Sequence, residues 1–119
     1  MLALGPSGSG KSRLALDLMG LGARLVADDG VWLTRDNRLQ RPEGASTWIE
    51  ARGIGLLNAD VQETAPLALI IDLSRPEPQR LPPWRQATAP AGPVPLILAK
   101  DHPFLAPAII QYLKQGRAE

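Results

Sequence analysis

A lysine and a serine close the glycine-rich stretch Gly5-Pro6-Ser7-Gly8-Ser9-Gly10-Lys11-Ser12, and this is the first place where residue types and spacing could do chemistry. That chemistry is the holding of a polyphosphate. Several negative charges are best met by backbone N–H groups at the start of a helix, where unpaired donors and the helix dipole both favour an anion. Gly5, Gly8 and Gly10 admit the positive φ angles and close approach that a Cβ would block, while Pro6, Ser7 and Ser9 complete the loop. Lys11 can reach the β and γ phosphates and the Ser12 hydroxyl can ligate Mg²⁺, so ATP and Mg²⁺ are the expected ligands. A Gly/Ser-rich turn could share this composition. The apolar run Met1 to Leu4 before the loop and the amphipathic stretch after it favour the phosphate-binding reading.

Phosphoryl transfer also needs a carboxylate to take the proton of the attacking hydroxyl and another to help hold the metal, because its catalysis is mostly positioning and charge neutralisation. Asp28 and Asp29 offer both. Neighbours on an extended chain point to opposite sides, so only one can face the γ-phosphate while the other turns toward metal-bound water or the sheet rim, and Asp28 is a candidate metal ligand and Asp29 a candidate base. Glu50, just ahead of the turn Arg52-Gly53-Ile54-Gly55, is a further acidic group, although an exposed glutamate on a strand is commonplace.

The elements that must carry these residues follow from periodicity. Met1 to Leu4 reads as a buried parallel strand, and Lys11 to about Leu21 as a helix with Leu14, Leu18 and Leu21 on one face, stopped by Gly20 and Gly22. Ala23 to Ala27 reads as a second strand beside the first, completing a βαβ unit with the two aspartates at the carboxyl end, where such sheets bind ligands. Val31 to Thr34 and Arg38 to Gln40 suggest a hairpin around Asp36-Asn37; Trp48 to Ala51 suggests another strand. The continuous apolar run Leu67 to Leu73 is the best central strand. Pro76, Pro78, Pro82, Pro83, Pro90, Pro93 and Pro95 are seven of the twelve prolines, which makes that stretch a mobile surface excursion rather than sheet or helix. Pro95 to Ala99 returns as a strand. Leu105 to Gln115 is a closing helix with Leu105, Ile109, Tyr112 and Leu113 inward and Gly116 at its end.

Composition bounds the function classes. The 119 residues are 45% apolar and 21% charged, enough for one core, and the expected organisation is a single domain over residues 1–119. A net charge of +1 gives no broad basic surface for nucleic acid. Without cysteine there are no disulfides or thiolate metal sites. No run reaches membrane-spanning length and no signal-like segment opens the chain, so a cytoplasmic location is expected.

Together, the Gly5 to Ser12 loop, Arg24-Leu25-Val26-Ala27-Asp28-Asp29, and Ile49-Glu50-Ala51-Arg52-Gly53-Ile54-Gly55-Leu56 resemble the catalytic C-terminal domain of the HPr kinase/phosphorylases. The third segment is similar to that family's Leu-Glu-Ile-Arg-Gly-Leu-Gly signature, which separates it from other P-loop kinases. The resemblance covers residues 1 to 75 well and the rest loosely, and is greatest to the short alphaproteobacterial-type members. It implies an α/β P-loop fold of the HPr kinase/PEP carboxykinase-like kind, a mixed sheet with flanking helices. It also implies an enzyme that uses ATP to phosphorylate a serine of HPr, the phosphocarrier of the sugar phosphotransferase system, and removes that phosphate by phosphorolysis, consuming phosphate and releasing pyrophosphate.

By position, Asp29 would be the base, and the acid in reverse. Lys11 would neutralise the transferred phosphate, Ser12 and Glu50 would ligate Mg²⁺, and Arg80 falls roughly where the family places a catalytic arginine. Longer members form hexamers, so the resemblance admits a homo-oligomer without fixing the oligomeric state. Two departures bear on the reverse step. The family's histidine lies upstream of the loop strand, ahead of Met1, and its basic Pro-Gly-Arg-Asn loop is matched only by Lys100-Asp101-His102, without the glycine. Phosphorolysis is therefore expected to be the weaker direction. The competing readings are a generic P-loop small-molecule kinase, against which Glu50 to Gly55 argues, and a nucleotide-binding regulatory module that does not turn over.

Overall fold

The computed structural model describes all 119 residues. In chain order the elements are β1 (Leu2–Leu4), α1 (Lys11–Gly20), β2 (Trp32–Leu33), β3 (Arg38–Gln40), β4 (Trp48–Ala51), β5 (Gly55–Asn58), β6 (Thr64–Pro66), β7 (Ile70–Asp72), β8 (Gln86–Ala87), β9 (Val94–Leu98) and α2 (Leu105–Gln115). A four-stranded sheet in the order β1-β7-β9-β8 forms the middle of the molecule, parallel throughout except for the antiparallel β8. Two antiparallel sheets, β2-β3-β6 and the β4-β5 hairpin, complete it. The α/β mixed-sheet expectation holds.

Alternation along the apolar run around β7 sets the layers. Leu69, Ile71 and Leu73 pack with Leu14 and Leu18 of α1 and Ala106 and Ile109 of α2, so both helices cover one face. Ile70 and Leu67 turn the other way, into a cluster with Leu39 of β3, Ala89 and Val94. Leu69, Ile71, Ile49 and Ile109 are fully buried, each contributing about 1.5–3 kcal/mol of burial. Helix α1 ends where Leu21 and Gly22 turn their N–H groups back onto Leu18 and Met19. No helix is long and apolar enough to cross a membrane.

The structure departs from the sequence expectations in several places. β1 is not a buried strand: it stands at the edge of its sheet, with Leu2 and Ala3 half-buried and Leu4 exposed. Ala23 to Ala27 is not a strand beside β1. It makes a single parallel bridge, Leu25 to Val61, with the Leu25 N–H donated to Asp60 and the Gln62 N–H donated back to Leu25. The parallel neighbour of β1 is β7, in the register Leu2↔Ile70 and Leu4↔Asp72, so the expected βαβ unit closes across a much longer connection. The run Leu67 to Leu73 is buried at most positions as expected, yet only Ile70–Asp72 joins the sheet ladder, because Leu67 donates its N–H to Asn37 as the chain turns in from β6. Leu21 and Leu113 lie 52% and 44% exposed instead of inward.

The proline-rich excursion is tied down. Arg85 donates two bonds to the Glu77 carboxylate, Arg117 donates to the carbonyls of Pro82 and Pro83 and lies over the Trp84 ring, and β8 pairs with β9 within it. The Arg85 hydrogen bonds hold the Glu77 carboxyl below its ordinary range.

Candidate functional site

The loop between β1 and α1 is built as its sequence requires. Gly5 has φ +156°, and a Cβ there would stand 2.5 Å from the Ser9 Oγ and 3.3 Å from the Leu73 Cβ, so no other residue fits without displacement. That Ser9 hydroxyl is buried without a hydrogen-bond partner. Gly10 caps α1 in the left-handed region, at φ +97° and ψ +17°, and no side chain caps the helix start. The Ser9 N–H turns back to Pro6, and the Leu14 N–H begins the helix ladder at the Gly10 carbonyl. Lys11 folds over the loop and donates from Nζ to the Gly5 carbonyl at 2.6 Å.

The Asp28-Asp29 corner comes to the loop through tertiary structure. Ser12 Oγ donates to Asp28 Oδ1 at 3.0 Å, across sixteen positions of sequence. Asp28 is half-buried and Asp29 exposed, and the Asp29 carboxylate makes no side-chain hydrogen bond or ion pair. Ser12 and Asp28 are hard oxygen donors lying together, which fits Mg²⁺; no cluster of three or more acidic or histidine groups gathers around them. A magnesium site that takes one carboxylate, with phosphate and water for the rest, needs no larger cluster.

Other expected residues make no hydrogen bond or ion pair with these two. Glu50 sits on β4, which packs against α1; buried Ile49 and Ala51 alternate with exposed Trp48 and Glu50. In the hairpin, Glu50 stands opposite Leu56. Arg80 is exposed at the tip of the excursion closed by the Glu77-Arg85 pair.

One acidic residue that sequence reading passed over stands at the carboxyl end of β7. Asp72 accepts from the Ser74 N–H at 2.8 Å, the Ser74 hydroxyl at 2.5 Å and Arg75 Nε at 2.9 Å. Its carboxyl is held below the usual range, first by the Ser74 hydroxyl and then by the Ser74 N–H, with Arg75 adding to them against the cost of burial. The Arg75 carbonyl in turn accepts the Lys100 N–H, joining this corner to the end of β9. An aspartate closing the most apolar run of the chain was the available signal.

Residues 1–81 match the family model of the HPr Serine kinase C-terminal domain. The chain belongs to that family. It is 48% identical over 62 residues to the HPr kinase/phosphorylase of Thermoanaerobacter sp. (strain X514), covering 49% of this chain and 20% of that protein. It is 38% identical over 95 residues to the HPr kinase/phosphorylase of Xanthomonas campestris pv. campestris (strain B100), covering 69% of this chain and 29% of that protein. The chain thus spans between a fifth and a third of the length of these curated relatives. The structure of the Hpr(Ser) kinase/phosphatase from Coxiella burnetii superposes with a TM-score of 0.73 at 29% identity, over 94% of this chain and 78% of that one. The HPr kinase C-terminal match takes in the loop, both aspartates and the Ile49 to Leu56 segment, which forms the β4-β5 hairpin.

Proposed function

We propose that this domain is an ATP-dependent serine kinase acting on the phosphocarrier HPr in the cytoplasm, with phosphorolysis of seryl-phosphorylated HPr as a weaker second activity. The observation that carries the reading is the Ser12-Asp28 pair at 3.0 Å beside a loop whose lysine folds over it, in a chain of the HPr kinase C-terminal family. Gly5 to Ser12 would hold the ATP phosphates on backbone N–H groups and the start of α1. Lys11 would leave the Gly5 carbonyl for the transferred phosphate, exchanging one charge-assisted hydrogen bond for a stronger one. Ser12 and Asp28, with Glu50 as a further ligand, would hold Mg²⁺, whose contribution when bound is to neutralise phosphate charge.

Asp29, exposed and without a hydrogen-bond partner, would take the proton of the HPr serine and return it in the reverse direction. Phosphorolysis brings phosphate and phosphoserine face to face, two anions that call for more positive charge than the loop provides. Arg80 and Lys100 would supply it.

The test is to incubate the purified chain with HPr and γ-labelled ATP in Mg²⁺ and to find the label on a serine of HPr. Absence of transfer would leave a nucleotide-binding module without turnover. Pyrophosphate release from seryl-phosphorylated HPr and phosphate should be slower than the forward reaction and should fall several-fold further in Arg80→Ala; a fast rate indifferent to that substitution would remove Arg80 from the site.

A further inference from the structure

Beside the glycine-rich loop lies a groove of about 630 Å³. One wall is the outward face of α1, from Ser9 and Gly10 through Arg13 and Asp17 to Leu21. The other is the segment from Asp101 to Pro107 that leads from β9 into α2, and the floor is apolar, made by Leu14, Leu73, Ala99 and Ala106. Its volume is that of a small-molecule site. Ser9 and Gly10 belong to the loop as well as to the groove, so the groove opens from the loop.

Phe104 gives the groove its chemistry. It is 62% exposed, so it does not serve the core, yet it is held in place. The His102 ring meets it edge-on with centroids 4.5 Å apart and planes at 81°, and the Phe104 N–H donates to His102 Nδ1 at 3.2 Å. The segment beneath is pinned where the His102 N–H reaches the Ala99 carbonyl and the Lys100 N–H reaches Arg75, with Asp101 in the left-handed region at φ +60°. An aromatic face braced at a fixed angle above an apolar floor is a stacking platform for a flat ring. With Nδ1 engaged as an acceptor, His102 keeps Nε2 to donate to a polar edge of that ring.

We propose that this groove holds the nucleoside half of the nucleotide whose phosphates occupy the loop, with the base stacked on Phe104 and its edge read by His102. The inference rests on the phosphate-loop reading above and adds the part of the site that selects a nucleotide over a bare polyphosphate.

Titration calorimetry with ATP and with inorganic tripolyphosphate, each in Mg²⁺, separates the two. Phe104→Ala should weaken ATP about ten-fold, the scale of one lost stacking partner, and leave tripolyphosphate affinity and the melting temperature unchanged. Phe104→Trp should restore ATP binding. An equal effect on both ligands, or no effect on ATP, would overturn the groove assignment while leaving the loop intact. Unchanged ATP affinity with weakened binding of HPr would assign the groove to the protein substrate and overturn it equally. Failure of tripolyphosphate to bind the unaltered chain would sink the loop reading itself, and this inference with it.

Discussion

Two acidic corners flank the glycine-rich loop, and they differ in what their carboxylates have left to offer. Asp28 and Asp29 follow an irregular segment held by one bridge, and the corner meets the loop through a single hydroxyl, that of Ser12. Asp72 ends the central strand, opposite Leu4 in register, but Ser74 and Arg75 take up its carboxylate. A general base needs a carboxylate that is not already engaged: Asp29 makes no side-chain hydrogen bond or ion pair, whereas both oxygens of Asp72 accept hydrogen bonds from Ser74 and Arg75. The engaged corner instead fixes backbone, with the Arg75 carbonyl tied to Lys100 and so to the groove beyond it.

Removing the charge on which both corners would act breaks the comparison most severely. Lys11→Ala should lower the rate of phosphate transfer to HPr by about 10³-fold without loss of fold, since Lys11 bonds only to the loop's own Gly5 carbonyl. An unchanged turnover would dismantle the site.

Exchanging the corners is the sharper experiment. Asp29→Asn should cost on the order of 10²-fold or more in kcat with nucleotide affinity kept, as for loss of a general base. Asp72→Asn should stay within about three-fold of the unaltered rate, a change small beside the loss of a base. If Asp29→Asn lost affinity and rate together, Asp29 would be a metal ligand; if Asp72→Asn were the worse of the two, the assignment of the free and saturated corners would be reversed.

The smallest effect falls on stability. A carboxyl held below its unfolded value of 3.8 stabilises the fold above that pH, and loses this contribution as pH falls through the lower, folded value. Asp72→Asn should thus lower stability at pH 6 by at most about 1 kcal/mol, given that its Arg75 partner is largely exposed and screened. The gap between variant and parent in urea midpoint should close as pH falls through that lower, folded value. A gap that persisted there would mean that the hydrogen bonds matter through geometry and not through charge.

Much of this was legible in the chain. The Gly5 to Ser12 loop, the start of α1, the strand Trp48–Ala51 and the helix Leu105–Gln115 lie where residue patterns put them. Other elements were not legible. Ala23 to Ala27 has the composition of a strand but pairs only through the Leu25–Val61 bridge, while β1, at the edge of its sheet, pairs with β7 alone. β5, β6 and β8 are short and mostly exposed or half-buried, so they carry little hydrophobic pattern of their own. Leu21 and Leu113 fit their helices' apolar spacing, yet the groove and the solvent claim them.

The division follows the range of the forces involved. Glycine φ angles, helix termini and the register of side chains along one helix or strand depend on residues within a few positions, so the sequence by itself determined the glycine-rich loop and the residue types it presents. Which strand lies beside β1, that Ser12 meets Asp28 across sixteen positions, and that Phe104 stands over a groove opening from the loop were decided by tertiary packing alone. Hydrogen-bond ladders and buried faces are satisfied by whichever partners the folded chain brings within reach, and no local pattern names those partners.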